Sequence, residues 1–156
     1  MGICIMPTRM PEEVRRCLFC HMIGDAMSDG PARLLNFDVD KWVHLNCALW
    51  ADDVYETESG ALVNVDLALK KSLNSSCTLC KETGASVKCF KVRCDKAYHL
   101  ACSVKDKCTF YKTKAVYCRE HWLKGEKDNE LTTLAVYRRV YIEREEDKQV
   151  RHGRTG

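Results

Sequence analysis

The apolar positions of this chain form short runs separated by polar turns, which predicts several small strands and helices. Residues 33–37 follow a Ser-Asp-Gly-Pro turn and predict a short strand. Residues 43–50 predict a helix whose packing side carries Leu45, Ala48 and Leu49. The first part of the chain therefore mixes strand and helix.

A hairpin and a second helix are predicted next. Residues 54–57 and 61–63 bracket a Glu-Ser-Gly turn and predict two paired strands. Asn64 can cap a helix that continues to Leu73, because apolar residues recur every four positions from Val65. We expect this short connection to pack the regions before and after it as one unit.

Three further strands are predicted in the second half of the chain. Residues 108–111 and 114–117 alternate in polarity and predict a hairpin. Residues 134–142 predict a strand with both faces partly apolar, followed only by the charged residues 143–156. We therefore expect this strand to be unpaired and the chain to belong to a longer protein.

Eleven cysteines in 156 residues change this picture, because such a number indicates disulfides or bound metal. Disulfides need an oxidising compartment. The start of the chain, residues 1–16, has one apolar run at residues 2–6, too short for a signal peptide or a membrane span. We expect a reducing compartment, in which paired thiols bind metal.

Twelve cysteines and histidines occur in pairs at the spacing of zinc ligands. A structural zinc site uses four sulfur or nitrogen ligands, and two ligands a few residues apart can reach one ion. The twelve residues fill three such sites, of which the second and third interleave along the chain as a cross-brace. The predicted zinc ligands are, for site 1, Cys17, Cys20, His44 and Cys47; for site 2, Cys77, Cys80, His99 and Cys102; and for site 3, Cys89, Cys94, Cys118 and His121.

This assignment predicts a small zinc-stabilised α+β fold, since the cross-brace has too few large apolar residues to bury a core alone. The expected divisions are a flexible lead-in at residues 1–16, a zinc knuckle with its connecting helix at 17–76, the cross-brace at 77–122, and a polar linker, strand and tail at 123–156. The Cys and His residues left without a ligand role are Cys4, Cys108, His21 and His152, with Cys108 expected to be a small buried apolar side chain. Trp42 and Trp50 could form a partner-binding surface, but core packing around the metal is the favoured interpretation.

Charge divides the chain unevenly. Residues 1–76 carry a net charge of −4, residues 77–125 of +7 and residues 126–156 of zero. Each site with three thiolates and a divalent ion contributes −1, so the zinc-bound values become −5, +5 and zero. An acidic and a basic lobe suit a nucleosome, with its basic tails and acidic DNA, although solvated faces of a stapled domain would look the same.

The ligand order resembles that of an extended PHD finger, in which a zinc knuckle is fused to an atypical PHD finger. A RING finger usually has histidine as its fourth ligand, whereas the first histidine of this cross-brace is the fifth. Residues 29–36, 42–50, 54–57 and 137–141 are similar to trithorax-related, mixed-lineage-leukaemia-type histone H3 lysine methyltransferases. The resemblance implies a nuclear, non-catalytic chromatin reader that binds three zinc ions and lacks the SET catalytic domain of its parent methyltransferase.

The resemblance also implies partners. They are a histone tail, with nucleosomal DNA as an alternative, and the subunits of a methyltransferase complex that activates transcription. Residues 81–88 contain no aromatic residue, and Val116 stands where many PHD fingers carry Trp, so a cation–π methyl-lysine cage is not expected. A tail could instead add as a strand on the acidic side or pair with carboxylates such as those of Asp25, Asp29, Asp38 and Asp40.

Two other functions remain open from the sequence. The basic lobe could bind DNA without sequence preference, or the chain could be a platform that holds neighbouring domains. Enzyme chemistry is disfavoured, because zinc sites with four protein ligands are closed. We expect a monomer without a membrane partner. The candidate phosphate-contacting residues are Lys88, Lys91, Arg93, Lys96, Lys105, Lys107, Lys112 and Lys114.

Overall fold

The computed structural model describes residues 13–123 and 127–143. Most of the predicted lead-in lies outside the described residues, as do Cys4, His152 and the charged tail after residue 143. Within the described ranges, no helix is both long enough and apolar enough to cross a membrane.

The first sheet and helix form the predicted knuckle. β1 (Leu34–Asp38) pairs antiparallel with β2 (Lys41–His44), and α1 (Leu45–Leu49) follows directly. The strand predicted at residues 33–37 is confirmed with a shift of one residue. The helix predicted from residue 43 begins only at Leu45, because the last two residues of β2 still pair with β1.

The predicted hairpin and connecting helix follow. β3 (Tyr55–Glu56) pairs antiparallel with β4 (Ala61–Val63), and α2 (Val65–Ser72) follows. Asn64 precedes the helix, but the predicted side-chain cap is wrong. Its backbone is left-handed, with φ of 72°, and its side-chain amide donates to the Asp53 carbonyl. Leu73, predicted on the packing face, is 65% exposed, because α2 ends at Ser72.

The cross-brace contains two small hairpins with a helix between them. β5 (Val87–Lys88) pairs with β6 (Ala97–Tyr98), α3 (Leu100–Lys105) follows, and β7 (Thr109–Phe110) pairs with β8 (Val116–Tyr117). Both pairs are antiparallel. The second hairpin confirms the prediction at residues 108–117, with shorter strands than expected.

The last described stretch, residues 131–143, returns to the knuckle and is called the return segment below. It follows a 3₁₀ turn at Lys127–Asn129 and ends in β9 (Tyr141–Ile142), which pairs parallel with β4. The prediction of an unpaired strand at residues 134–142 is therefore wrong. Sequence patterning could not identify this partner, because parallel pairing joins positions far apart in the chain.

Polar contacts and apolar packing both hold the return segment in place. The Arg33 guanidinium donates to the carbonyls of Val136 and Arg138, at 2.7 and 3.0 Å. The Asn46 amide donates to the Leu134 carbonyl at 3.0 Å. The return segment also adds four side chains to the core of the knuckle: Leu134, Val136, Val140 and Ile142.

Knuckle and cross-brace share one apolar core, as the short connection predicted. Phe19 of the knuckle belongs to the same buried cluster as Val87 and Leu100 of the cross-brace. The Ser86 hydroxyl donates to the Cys47 carbonyl at 3.0 Å, a buried hydrogen bond between the two units. The knuckle and the cross-brace therefore form one packed body.

Gly84 lies at the closest approach between the two units. Its φ of 103° is unfavourable for any residue with a Cβ, and a Cβ there would overlap the Phe19 carbonyl oxygen. It would also lie 3.1 Å from the His99 ring. Only glycine lets these two backbones meet.

We expect Gly84→Ala to lower the free energy of unfolding by about 3 kcal/mol or more, because strain and a backbone clash add together. The measurement is urea unfolding of the zinc-saturated chain. Gly30→Ala is the matched control: its Cβ would make an ordinary contact, 3.5 Å from the Met27 carbonyl oxygen. Equal stability of the two variants would contradict the predicted close approach.

Candidate metal centres

The structure brings the twelve predicted ligands together in three groups of four. In each group the candidate ligand atoms all lie within 4.8 Å of one another. The groups have the membership predicted for sites 1, 2 and 3, including the interleaved order of the cross-brace. The three groups are Cys17, Cys20, His44 and Cys47; Cys77, Cys80, His99 and Cys102; and Cys89, Cys94, Cys118 and His121.

A tight turn presents the first two thiols of site 1. The amide of Cys17 donates to the Met22 carbonyl, and the amide of His21 donates back to Cys17, at 3.0 and 2.8 Å. His21 takes a left-handed φ of 66°, which closes this turn. The other two ligands come from the junction of β2 and α1, since His44 ends the strand and Cys47 lies one helical turn later.

Site 2 repeats this construction. The amide of Cys77 donates to Glu82, that of Lys81 donates back to Cys77, and Lys81 has a left-handed φ of 71°. His99 follows β6 and precedes α3, as His44 follows β2 and precedes α1. This internal repeat was not identified from the sequence. Its signal is present, because Cys-x2-Cys-x3-Gly occurs at both sites.

The histidines face the thiols through Nδ1. His44 Nδ1 lies 3.3 Å from Cys20 Sγ and 3.9 Å from Cys47 Sγ, and His99 Nδ1 has the same two distances to its thiols in site 2. On the other side of each ring, Nε2 lies 2.7 Å from the Gly24 carbonyl oxygen and 2.8 Å from that of Thr83. A donor at Nε2 leaves the Nδ1 lone pair free for a metal.

The geometry of each group fits zinc. Tetrahedral bonds of about 2.3 Å to sulfur and about 2.0 Å to nitrogen place these ligand atoms about 3.6 Å apart. In site 3, His121 Nδ1 lies 3.6 Å from Cys89 Sγ and 3.1 Å from Cys118 Sγ. Backbone amides also donate to the sulfurs, as His44 N does to Cys17 Sγ at 3.3 Å, which favours the thiolate form that binds metal.

In site 1, the neighbouring side chains also shift the pKa values of Cys17 and His44 toward their charged forms. Burial opposes ionisation of Cys17, but hydrogen bonds from its three neighbours outweigh it and lower the pKa of this thiol. Burial likewise lowers the pKa of His44, yet the adjacent Cys17 and Cys20 sulfurs raise it to about 10. A metal ion must therefore displace protons from this site. Four protein ligands close each site, so each can hold a structural zinc ion without an open catalytic position.

Cys108 and His21, the two described cysteine and histidine residues without a predicted ligand role, lie outside these groups. Cys108 packs partly buried beside both core clusters, and burial raises the pKa of its thiol to about 12. His21 is exposed. Trp50 is only 6% exposed and packs edge-on against Phe110, while Trp42 is partly buried with the Arg15 guanidinium 5.0 Å from its ring centre.

Two of the four carboxylates proposed for tail binding have structural roles. Asp25 accepts a hydrogen bond from the Leu34 amide at 2.8 Å. Asp29 accepts from both the amide of Leu134 and the hydroxyl of Thr133, which lowers the pKa of its carboxyl. Asp29 therefore anchors the return segment.

We expect native mass spectrometry of the full chain to show three bound zinc ions and chelation to unfold it. Structural zinc contributes on the order of 10–16 kcal/mol per site in small domains, more than the ~5–15 kcal/mol net stability of an ordinary domain. Circular dichroism during titration with a chelator measures the unfolding. Fewer than three ions, or a fold that survives without metal, would contradict the assignment of twelve ligands.

Cys89 and Cys108 offer a matched comparison within the cross-brace. Cys89→Ala should abolish binding of one zinc ion and disrupt sites 2 and 3 together, since their ligands interleave. Cys108→Ala should keep all three ions and cost a packing penalty of about 1–3 kcal/mol. Zinc content and thermal unfolding of both variants measure the difference, and equal zinc loss would show that Cys108 is a ligand.

Comparison with known proteins matches nearly the same residues as the knuckle and the cross-brace together. A family model described as a PHD-zinc-finger-like domain matches residues 15–123. The chain is 52% identical over 150 residues to histone-lysine N-methyltransferase 2D of Homo sapiens, across 96% of this chain and 3% of that protein. It is 48% identical over 159 residues to histone-lysine N-methyltransferase trr of Drosophila melanogaster, across 89% of this chain and 6% of that protein.

A third relative is less similar. Histone-lysine N-methyltransferase trithorax of Drosophila virilis is 36% identical over 155 residues, across 96% of this chain and 4% of that protein. The chain thus spans only a few per cent of the length of these relatives, and it contains no SET catalytic domain. The predicted resemblance to trithorax-type methyltransferases is confirmed. With its three Cys/His groups inside the matched region, the chain belongs to the PHD-zinc-finger-like domain family.

Proposed function

We propose that this chain is a chromatin-reading module of a nuclear histone H3 lysine methyltransferase and that it binds a histone tail. The names of the similar proteins support the setting, since these relatives are histone-lysine N-methyltransferases. Each metal centre has four protein ligands and no open coordination position, which supports a binding role without catalysis. The observation that carries the proposal is a groove along the junction of knuckle, cross-brace and return segment.

This inter-unit groove consists of two adjoining depressions of about 500 and 480 Å³. Trp50, Tyr55 and Lys114 line both of them. All three parts of the fold contribute walls, so the groove exists only when they are packed together. Two adjoining depressions of this size can hold a peptide segment.

A simpler mode, strand addition beside β5, is blocked. The amides of Gly84 and Ala85 already donate to carbonyls near the end of α2, on Ser72 and Ser75. The next carbonyl, that of Ser86, accepts a hydrogen bond from the Asp52 amide at 3.2 Å. The backbone groups directly before β5 on this edge are therefore occupied by the knuckle, which leaves a tail little room to add a strand there.

The groove offers a carboxylate to a basic tail. Asp52 is exposed on its wall and forms no ion pair within residues 13–123 and 127–143. Lys114 lies deeper, donates to the Val54 carbonyl, and has its pKa lowered by burial to about 8. Since Lys114 is committed to the wall, Asp52 is the acidic group best placed to pair with a lysine or arginine of the peptide.

We propose that the groove does not act as a methyl-lysine cage. Of the aromatic residues that line it, Tyr55 is 47% exposed, Phe90 is 64% exposed, Tyr117 is partly buried and Trp50 is buried. A cage needs several aromatic faces around one cation. We propose that recognition depends on extended backbone contacts and Asp52.

We expect the zinc-loaded chain to bind mononucleosomes with intact tails and to lose this binding when the tails are trimmed. Asp52→Asn should weaken binding about two- to fivefold, the range for a partly exposed ion pair. Glu58→Gln, in the exposed turn of the β3–β4 hairpin, is the control and should bind as wild type. The measurement is a binding titration at two salt concentrations.

Other outcomes separate the competing functions. Binding that persists after trimming but disappears at high salt would replace the tail by DNA. No binding to either particle would favour a structural platform for neighbouring domains. If Glu58→Gln weakened binding as much as Asp52→Asn, the groove would not be the tail-binding site.

A further inference from the structure

The loop between the first two ligands of site 3 exposes apolar and basic side chains in alternation. The basic loop is defined as residues 88–93, with the sequence Lys-Cys-Phe-Lys-Val-Arg. It includes Lys88 at the end of β5 and the candidate ligand Cys89. Phe90 is 64% exposed and Val92 is 79% exposed. Lys88, Lys91 and Arg93 are exposed as well. Exposed apolar side chains that lie together and are bordered by polar residues can mark a binding site.

The basic loop is held in one conformation. Metal-centre residues Cys89 and Cys94 fix both ends, and the Cys94 amide donates to the Lys91 carbonyl at 3.0 Å. The Phe90 amide donates to Val116 of β8 at 2.7 Å. The exposed phenyl ring is therefore presented on a rigid support, so little conformational entropy is lost when a ligand stacks on it.

Aromatic neighbours support the Phe90 ring from one side. Its centre lies 6.0 Å from that of Tyr117 with an interplanar angle of 77°, and Tyr117 is itself edge-on to Tyr111 at 5.6 Å. These contacts orient the ring, while most of its surface remains in water. An oriented, exposed ring is a platform for another flat group.

The cations of the basic loop are available to an anion. Lys88, Lys91 and Arg93 form no ion pair among the residues that the structure describes. Asp52 and Asp95 line a depression together with Lys88 and Phe90, but neither forms an ion pair with the basic loop in the described part of the chain. The nearby Lys96 already pairs with Glu120. With zinc bound, the cross-brace region carries the +5 lobe of the chain, so a polyanion is the complementary partner.

We propose that the basic loop binds single-stranded nucleic acid, with a base stacked on Phe90 and phosphates contacted by Lys88, Lys91 and Arg93. A duplex would satisfy the cations, but its bases are already stacked and cannot cover Phe90. An unpaired strand supplies both a flat apolar face and regularly spaced negative charge. This proposal does not rest on the proposed function, but Lys88 and Phe90 also line the inter-unit groove, so an oligonucleotide and a tail would compete for this part of the surface.

The test uses the full zinc-loaded chain and a short fluorescent oligothymidylate, with anisotropy as the readout. Phe90→Ala should weaken binding about tenfold, the effect of losing one stacked base, whereas Phe90→Trp should keep the wild-type affinity or strengthen it. Lys91→Gln should weaken binding and reduce the salt dependence by about one phosphate contact. Zinc content by native mass spectrometry verifies that the variants keep the metal centres.

Matched controls lie elsewhere on the surface. Tyr137 is 86% exposed in the return segment, and Lys70 is exposed in the last turn of α2. Tyr137→Ala and Lys70→Gln should bind the oligonucleotide like wild type. If either control weakens binding as much as the basic-loop variants, the charge of the whole chain explains the affinity and the proposal is wrong.

Three further results would overturn the proposal. The first is no oligothymidylate binding, and the second is equal affinity for the same sequence as a duplex. The third is that the chain does not bind the oligonucleotide but binds phosphatidylserine vesicles, and that Phe90→Ala loses this vesicle binding. That last result would assign Phe90 and Val92 to membrane insertion. Loss of tail binding with retained oligonucleotide binding would instead affect only the proposed function.

Discussion

Convergence of four side chains on one point, repeated three times, is the constraint on which the whole structure depends. Every helix and strand of the cross-brace is short, between two and six residues, and none could persist alone. The ligand groups supply the missing cohesion, since each joins segments distant in sequence. The elements are consequences of these junctions: β2 delivers one ligand and α1 the next, and β6 and α3 do the same in site 2.

The second level of organisation is the union of knuckle and cross-brace. It rests on a few close contacts at Gly84 and Ser86 and on a common apolar core. The union occupies backbone groups before β5 with hydrogen bonds to the knuckle, and it forms the walls of the inter-unit groove elsewhere.

Local chemistry was predictable from the sequence, and long-range pairing was not. The spacing of cysteines and histidines predicted the pairs, and the structure places them in the three groups expected from the interleaved cross-brace. The β3–β4 hairpin was equally clear from its Glu-Ser-Gly turn. By contrast, Asn64 was assigned as a cap from residue type alone, whereas tertiary contacts direct its amide to Asp53. Of the strand predicted at residues 134–142, only Tyr141–Ile142 forms a strand, and its partner is β4, a pairing that no local pattern encodes.

The return segment also bears on the order in which the molecule assembles. Ligand contacts such as Cys80 with His99 and Cys20 with His44 close loops of 19 and 24 residues, whereas Arg33 meets Val136 across 103 residues. Longer loops lose more entropy on closure and close more slowly. Loop closure therefore favours formation of the metal centres before the return segment docks, and the knuckle core is complete only when Leu134, Val136, Val140 and Ile142 have been added to it.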